Sequence, residues 1–431
     1  MHCQNLIRYL LIFFFAAFVT FGLNCGGREK DFTIWIGGSP EEVNYWAKII
    51  NKFNEQTGDN LQLVRQPTYT DQRRQALVIS LEAEQPDPDL FLMDVVWLDQ
   101  FAKSNWLEPL DSYVKASKFS TDVFFPKILN SVDRYDGVLY ALPVFMDVGL
   151  LYYRTDLLKE SGFESPPETW KELVNEAEVI QREQQIKNKS FSGFVWQGAQ
   201  YEGLVCDFLE FIASNGGGIM HNGKIDLDTE PNVQALQFMH DLIYKYKISP
   251  SNTYTEIREE EARRAFQRGD ALFERNWTYA WKLHQSNGSA VKGKVGVTLL
   301  PHFDHHESVS ALGGWHIGIS RFSDEKEKAW KFIRFVTSYN IQKDLVLNVG
   351  WNPGRRDVYK DSTVLRQIPQ LKIFLQAFDR AVARPELPYY SQVSDIIQRY
   401  VNDCLANKIK PADALSKIQK EVNRITDIYG K

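Results

Sequence analysis

Short apolar segments alternate with amphipathic ones along most of this chain, and this alternation limits its fold more than any other feature. The segment 32–36 carries apolar residues at every second position, as a strand does. Ser39 and Glu42 then have the spacing of a capping box, which predicts the start of a helix. Residues 90–93 are all apolar, as in a strand buried in a parallel sheet. Strands that alternate with helices predict an α/β fold.

The length of the chain predicts two domains. Its 431 residues exceed the roughly 300 at which a single hydrophobic core stops growing. No stretch rich in proline, glycine and serine separates the strands and helices, so we expect two lobes joined by several short crossings. Such lobes enclose a cleft and can close by a hinge motion.

The N-terminal segment predicts export. Arg8 precedes a nearly uncharged apolar run over 10–23, and polar residues follow, which is the layout of a secretory signal peptide. The run of about 14 residues is shorter than the roughly 20 that a membrane-spanning helix needs. We therefore predict a signal peptide at residues 1–24 and lipidation of Cys25, which would tether the exported protein to a membrane. Two alternatives stay open: an uncleaved anchor, and an ordinary signal peptide that ends near a cysteine.

Charge and motifs exclude several classes of function. A formal net charge of −5 does not favour nucleic acid or an anionic membrane surface. The sequence contains no G-x-S-x-G, complete Walker A, H-E-x-x-H or C-x-x-C motif. His302, His305 and His306 flank Asp304, but without a further ligand pattern they favour a solvated turn over a metal site. We predict no catalytic residues, no metal site and no cofactor.

Two carboxylates stand after apolar strands. Asp94 follows the strand at 90–93, and Asp147 follows the segment 140–145. Ligands of open α/β sheets bind beyond the carboxyl ends of the strands, and ionised carboxylates accept hydrogen bonds from sugar hydroxyls. The alternative, that both carboxylates cap nearby backbone amides, fits the sequence equally well. No carboxylate stands out in the sequence as an acid with a raised pKa.

Seven segments together carry a resemblance to a known family. In chain order they are GGSPEEVNYW, DPDLFLMDVVWLDQF, YALPVFMDVGLLYYR, FVWQGAQYEGLVCDF, ALFERNWTYAW, ALGGWHIGIS and VGWNPGRRDVY. In these segments the chain resembles the extracellular solute-binding proteins of ABC sugar importers, and among them the trehalose/maltose-binding proteins. The resemblance covers essentially the whole chain after the signal segment. It implies an α/β periplasmic-binding-protein fold of type II, maltose-binding-like, with two lobes, a hinge and an inter-lobe cleft.

The resemblance also implies which residues bind the ligand. Matched position by position, they are Glu42, Thr68, Arg73, Asp94, Phe145, Asp147, Trp277, Tyr279, Gly314, Trp315 and Arg384. Phe145 departs from the family, which usually has tyrosine there, so its ring can pack on a sugar without offering a hydroxyl. Trp277 and Trp315 are expected to cover the apolar faces of the sugar rings, while the charged side chains pair with the hydroxyls. Alternatively, Glu42 serves only its capping box and Trp277 belongs to the core.

Organisation and function follow from the same resemblance. The N-terminal lobe would comprise residues 30–144 and 295–338, and the C-terminal lobe residues 145–294 and 339–431. The cleft would bind a disaccharide or small oligosaccharide of the trehalose/maltose type without any enzymatic step. The loaded protein would deliver this sugar to the transmembrane permease subunits of an ABC transporter.

The expected location follows from the export signal. We expect a monomer that binds no nucleic acid and is held in the periplasm or at the cell surface through lipidated Cys25.

One alternative function is that of a secreted glycoside hydrolase, since paired carboxylates beside aromatic rings also describe such sites. Another is a sugar-binding lipoprotein that serves a receptor.

Overall fold

The computed structural model describes residues 31–429, and strands and helices are interspersed along most of them. The predicted signal peptide at 1–24 and the predicted lipidation site Cys25 lie outside the described residues. The strands are β1 (Phe32–Ile36), β2 (Leu61–Arg65), β3 (Leu90–Asp94), β4 (Arg134–Tyr135), β5 (Val138–Leu139), β6 (Ala141–Arg154), β7 (Ser192–Val195), β8 (Met220–His221), β9 (Lys224–Ile225), β10 (Ala271–Trp277), β11 (Val295–Thr298), β12 (Ser310–Ile319), β13 (Asn352–Pro353) and β14 (Ala381–Val382).

The helices lie between and after these strands. They are α1 (Pro40–Thr57), α2 (Thr70–Glu82), α3 (Leu98–Lys103), α4 (Asp111–Ser117), α5 (Pro126–Ser131), α6 (Thr155–Glu160), α7 (Trp170–Gln184), α8 (Glu202–Ala213), α9 (Glu230–Tyr244), α10 (Thr253–Glu256), α11 (Glu259–Gln267), α12 (Ala280–His284), α13 (Lys326–Val336), α14 (Tyr339–Asn348), a 3₁₀ turn (Val358–Lys360), α15 (Ser362–Gln367), α16 (Leu371–Asp379), α17 (Tyr390–Leu405) and α18 (Pro411–Tyr429). Among the helices so described, none combines the length and the apolar character that crossing a membrane requires.

A ten-stranded sheet runs through the described part of the molecule. Its main path has the order β2-β1-β3-β12-β6-β10-β7, with β11 and β13 also paired to β6 and β14 paired to β12. β1 is parallel to β2 and β3, and β10 is parallel to β7, whereas β6 and β12 run antiparallel to each other. Two long antiparallel strands therefore connect a parallel group at each end of the path.

The connection from β1 to α1 forms as the sequence predicts. The Ser39 side chain accepts a hydrogen bond from the backbone N–H of Glu42, and the Glu42 carboxylate accepts one from the N–H of Ser39. Pro40 occupies the first position of the helix. The helix ends at Gly58, whose φ of 75° lies in the left-handed region that glycine adopts without strain. The predicted capping box is confirmed.

The predicted buried strand is also confirmed. β3 lies between β1 and β12, and residues 90–93 are all buried. An interior strand with both faces covered has no place for a polar side chain, which is why this run contains none. Asp94 ends the strand and is only half-buried.

Each end of the sheet has its own apolar packing. At the β2 end, Trp46 and Phe53 of α1 pack with Phe332 of α13. At the β7 end, Trp170 of α7 stacks on Phe211 of α8, with ring centroids 4.2 Å apart. Because the two ends are stabilised separately, the strands that connect them can present side chains to a space between the ends. The predicted lobe boundaries stay a prediction.

Candidate functional site

One cavity contains all the residues that the resemblance implied. It lies where the C-terminal ends of β1, β2 and β3 meet the middle of β6 and β12, and it holds about 1060 Å³ of empty space, part of it open solvent. All of the predicted binding residues line this cavity: Glu42, Thr68, Arg73, Asp94, Phe145, Asp147, Trp277, Tyr279, Gly314, Trp315 and Arg384. The structure thus brings the predicted positions together, and their role in binding a ligand stays a prediction.

Three strands place a row of predicted side chains along this cavity. In the register of the sheet, Asp94 of β3 stands opposite Trp315 of β12, and Trp315 stands opposite Phe145 of β6. Directly opposed residues project from the same face of a sheet, so these three side chains face the cavity together. The register shifts directly after Trp315, and His316 pairs with buried Asp133, Nδ1 to Oδ1, at 2.5 Å. Such an irregularity re-aims neighbouring side chains.

Two glycines let the backbone of β12 approach its neighbours. Gly314 has a φ of 143°, and a Cβ there would lie 2.8 Å from the carbonyl oxygen of Phe145. A Cβ on Gly313 would lie 3.1 Å from Cζ3 of Trp277. Any side chain at position 314 would therefore be strained and crowded. Glycine is required there by the backbone, and only backbone atoms line the cavity at this position.

Glu42 both caps its helix and lines the cavity. Its Oε2 accepts the hydrogen bond from the N–H of Ser39 at 2.6 Å. Burial raises the pKa of the Glu42 carboxyl, although the bond from Ser39 and the charge of Arg73 act in the opposite direction. The capping role that the sequence allowed as an alternative is therefore present, together with a position in the cavity wall.

Arg73 lies over the indole of Trp315. The guanidinium carbon is 4.2 Å from the ring centroid, within the range of a cation–π contact. Nη2 donates to Oγ1 of Thr70 at 3.0 Å, whereas the buried Nε has no hydrogen-bond partner among the described residues. Burial lowers the pKa of Arg73, and the carboxylates of Glu42 and Asp94 oppose this shift. A buried donor without a partner costs about 1–3 kcal/mol, so Nε is suited to an acceptor that a ligand supplies.

Arg384 bridges two carboxylates in the cavity wall. Its Nη2 donates to Oδ1 of Asp94 at 3.1 Å, and its Nη1 donates to Oε1 of Glu202 at 2.8 Å. Burial alone would lower the pKa of Arg384, but the neighbouring Cys206, Asp94 and Glu202 raise it above its usual value. Since the side chain is only 2% exposed, the clearest effect of Arg384 is to hold Asp94 in position.

Asp147 is a buried acceptor with an unusual pKa. Its Oδ1 accepts hydrogen bonds from the backbone N–H of Thr278 at 2.8 Å, from Oγ1 of Thr278 at 2.6 Å and from the N–H of Val148 at 3.2 Å. Burial raises the pKa of Asp147 to about 7, although these bonds and the charge of Arg275 act in the opposite direction. From the sequence, no carboxylate stood out as an acid with a raised pKa. Asp147 is such an acid in the structure, because the folded chain buries it.

The alternative that both aspartates cap backbone amides is correct in part. Asp147 accepts the two backbone bonds just described, and Oδ1 of Asp94 accepts one from the N–H of Val96 at 3.2 Å. Both carboxylates nevertheless line the cavity. Backbone capping fixes one oxygen of each carboxylate and leaves the other for further contacts.

Trp277 is held by a buried cluster of charges. The guanidinium carbon of Arg275 lies 4.1 Å from the centroid of its ring. The same guanidinium pairs with Glu210, Nη2 to Oε1, at 2.5 Å and with Asp207, Nε to Oδ1, at 3.0 Å. Nε1 of the indole donates to Oε1 of Glu259 at 3.4 Å. The ring packs against the core yet stays partly exposed, so Trp277 belongs to the cavity wall as well as to the core.

Three other predicted residues have different surroundings. Phe145 stacks on Trp351, with ring centroids 4.6 Å apart and an angle of 20° between the planes. The hydroxyl of Tyr279 donates to Oε1 of Glu260 at 2.9 Å. Thr68 lies exposed in the loop after β2. Two of these side chains are therefore fixed by protein contacts, while Thr68 stands at the rim.

The cavity also contains residues that the sequence analysis did not select. They include Tyr69, Tyr201, Glu202, Arg258, Glu259, Glu260 and Trp351. Tyr201, Glu202 and Trp351 fall inside the segments that carried the resemblance, and this is the signal that the sequence offers for them. The charged run at 258–261 has the pattern of a solvated helix start, and only the tertiary packing brings it to the cavity.

The chemistry of the cavity suits a molecule rich in hydroxyl groups. Carboxylate oxygens of Glu42, Asp94 and Asp147 accept hydrogen bonds, Arg73 donates them, and the aromatic rings can cover apolar C–H faces. Within the described part of the chain, no group of three or more His, Cys, Asp or Glu side chains is arranged to hold a metal ion.

Comparisons with known proteins give a consistent result. The model of the family described as bacterial extracellular solute-binding protein matches residues 37–343. A probable ABC transporter-binding protein of Deinococcus radiodurans is 36% identical over 385 residues, which is 88% of this chain and 88% of that protein. The maltotriose-binding protein of Pyrococcus abyssi is 25% identical over 410 residues, which is 92% of this chain and 82% of that protein.

Solved structures share the fold. The maltose-bound MalE3 of T. maritima is 40% identical, with a TM-score of 0.87 over 92% of this chain and 99% of that one. A solute-binding protein of Thermotoga lettingae, bound with alpha-D-tagatose, is 30% identical, with a TM-score of 0.84 over 92% of this chain and 99% of that one. This similarity confirms the predicted α/β fold of the two-lobed, maltose-binding-like type.

Proposed function

This chain belongs to the family of bacterial extracellular solute-binding proteins, and on that premise we propose that its cavity binds a disaccharide or small oligosaccharide of the trehalose/maltose type. Family membership makes it an exported binding protein of an ABC transporter and not an enzyme. The loaded protein delivers its sugar to the transmembrane permease subunits of that transporter.

The observation that carries the proposal is the unpartnered Nε of Arg73 beside the indole of Trp315. A sugar oxygen within reach of Nε satisfies this buried donor, and the apolar face of the same sugar ring packs near the indole. Asp94 and Asp147 act as hydrogen-bond acceptors, since their carboxylate oxygens accept from sugar hydroxyls. A neutral molecule with many hydroxyl groups both donates and accepts, so it satisfies both sets of groups.

The aromatic rings favour a ligand of more than one sugar unit. One face of Trp315 is covered by Arg73, and one face of Trp277 is covered by Arg275. Each indole therefore keeps at most one face for a pyranose, and two separate rings suit two sugar units. Phe145 contributes a ring but no hydroxyl, so the ligand forms one hydrogen bond fewer here than tyrosine would allow.

We further propose that the protein is a monomer with two lobes. One lobe comprises residues 30–144 and 295–338, and the other comprises residues 145–294 and 339–431. Lipidation of Cys25 would keep the protein near its permease and so raise its effective concentration there.

Isothermal titration calorimetry on the purified exported protein tests the ligand class. We expect maltose, trehalose or maltotriose to bind and to stabilise the fold, by about 2.7 kcal/mol when the ligand concentration is 100 times the Kd. The anionic disaccharide maltobionate is the matched negative control, because carboxylates outnumber the arginines in the cavity wall. Absence of binding by maltose, trehalose and maltotriose alike would contradict the proposal.

A second measurement separates binding from turnover and from receptor function. Incubation with the bound sugar, followed by product analysis, is expected to return the sugar intact. Labelled sugar is expected to enter vesicles only when this protein is added. The vesicles contain the permease whose subunits are encoded by neighbouring genes. Binding without such uptake would favour the alternative of a lipoprotein that serves a receptor.

A further inference from the structure

The side chain of Arg258 lies between two tyrosine rings at the cavity. Its guanidinium carbon is 4.5 Å from the centroid of Tyr69 and 4.6 Å from the centroid of Tyr201. Its Nη1 lies 3.6 Å from Oδ1 of Asp71. Arg258 and both tyrosines line the cavity, and the Arg258 side chain is 23% exposed. We call Tyr69, Asp71, Tyr201 and Arg258 the tyrosine–arginine stack.

The stack connects segments that belong to opposite ends of the sheet. Tyr69 and Asp71 follow β2, which is the first strand of the main path, whereas Tyr201 follows β7, which is the last. Arg258 directly precedes α11, which leads into β10 beside β7. Tyr201 and Arg258 therefore belong to one end, and Tyr69 and Asp71 belong to the other.

This placement makes the stack sensitive to opening of the cavity. Any motion that separates the two ends of the sheet removes Arg258 from Tyr69 and Asp71, while its contact with Tyr201 is kept. A guanidinium interacts with an aromatic face only within about 6 Å, so a small separation is enough to break the contact. Such an opening of the cavity would therefore break the contact to Tyr69 and the pair with Asp71.

We propose that Arg258 is a determinant of ligand retention, which closes the cavity over bound sugar and sets the rate at which the sugar leaves. This inference rests on the proposed function, since it concerns the same cavity and the same ligand. Contacts made only in the closed state raise its population, and the apparent affinity rises in proportion to that population. Because they break when the cavity opens, they act mainly on dissociation.

The test is the dissociation rate of maltose, followed by tryptophan fluorescence in a stopped-flow instrument. Arg258→Ala is expected to raise koff by about 3- to 30-fold, because one exposed cation–π contact and one exposed ion pair are lost. Arg258→Lys keeps the charge but not the planar stacking surface, so an intermediate rate is expected. High salt should raise koff of the wild type more than that of Arg258→Ala. Salt screens the ion pair between Arg258 and Asp71, and the variant lacks this pair.

Two controls make the result specific. Arg268→Ala removes an arginine just beyond the end of α11 that pairs with Asp270 and is 63% exposed, and it should leave koff unchanged. In a double-mutant cycle, Tyr69→Ala should raise koff in the wild type and much less in Arg258→Ala, because the two side chains form one contact. Unchanged thermal stability of the unliganded variants shows that they fold.

The outcomes separate the two proposals. If the wild type binds no maltose, trehalose or maltotriose, the proposed function fails and this inference fails with it. If the wild type binds sugar and Arg258→Ala releases it at the wild-type rate, only the role of Arg258 is overturned. Additive effects of the Tyr69 and Arg258 substitutions would overturn it as well.

Discussion

The guanidinium of Arg275 lies 4.1 Å from the centre of the Trp277 indole, so a ring that lines the cavity rests on a buried cation. This cation is balanced by Asp207 and Glu210, at 3.0 and 2.5 Å. Burial and these two carboxylates act in opposite directions on Arg275, and the net effect raises its pKa. The position of Trp277 therefore depends on a charge cluster beneath the cavity as well as on apolar packing.

Arg275→Met should destabilise the unliganded protein strongly. The substitution leaves Asp207 and Glu210 buried without a counter-charge, and breaking a buried ion pair in this way costs about 3–5 kcal/mol. Chemical denaturation followed by circular dichroism measures the change. Arg268→Met, at an exposed pair, should cost less than about 1 kcal/mol. A loss of similar size in both variants would show that the cluster contributes no special stability.

Gly149→Ala tests the close approach of β6 to the same cluster. A Cβ at this position would lie 2.0 Å from Oε1 of Glu210 and 2.7 Å from Nη2 of Arg275. Since both groups are buried and paired, we expect a destabilisation of about 1–3 kcal/mol, as for other overpacked sites, visible as a lower Tm. The matched control is Gly288→Ala, where nothing lies within 4 Å of the added atom. Equal Tm values for the two variants would contradict the expectation.

Asp147→Asn should alter how stability depends on pH. The carboxyl ionises near 3.8 in the unfolded chain and near 7 in the folded protein. Between these values the folded state keeps a proton that the unfolded state has lost, so raising the pH favours unfolding of the wild type. The shift corresponds to at most about 4 kcal/mol.

The measurement for Asp147 is the free energy of unfolding of both proteins, without sugar, from pH 4 to pH 8. Relative to Asp147→Asn, the wild type should lose stability as the pH rises from about 4 to about 7 and then show a constant difference. The asparagine can still accept through its carbonyl oxygen from Thr278 and Val148. A pH-independent difference between the two proteins would mean that Asp147 ionises normally.

Arg73→Lys should weaken sugar binding without changing the charge of the cavity. Lysine lacks the Nε donor and the planar group that lies 4.2 Å from the Trp315 centroid. We expect the Kd for the sugar that binds the wild type to rise by about 10- to 100-fold, the effect of one lost hydrogen bond to a charged group. The control is Arg65→Lys, at the exposed end of β2 and outside the cavity lining, which should bind as the wild type does. An unchanged Kd in Arg73→Lys would remove Nε from the binding site.

Local features of this protein could be predicted from its sequence because they depend on near neighbours. The capping box at Ser39 and Glu42 needs only a three-residue spacing, and the apolar run at 90–93 predicts an interior strand by composition alone. The family resemblance added positions far apart in the chain, and all of the residues it implied line one cavity.

Other features depend on what burial and long-range packing bring together. The raised pKa of Asp147 arises from burial; the apolar residues on both sides of it indicate a buried strand, but the bonds from Thr278 depend on tertiary packing. The tyrosine–arginine stack joins residues 69–71, 201 and 258, whose separation in the chain leaves no periodic signal.

The sequence by itself determined the α/β architecture, because strand and helix patterns are local, and the family resemblance added a subset of the positions that line the cavity. Only the tertiary structure decided how those positions are tuned. It placed Arg275 beneath Trp277, Arg384 between Asp94 and Glu202, and Arg258 between two tyrosines from opposite ends of the sheet. Electrostatic and stacking energies depend on the distances between groups and on their burial. Both distance and burial are set by how the two ends of the sheet pack together.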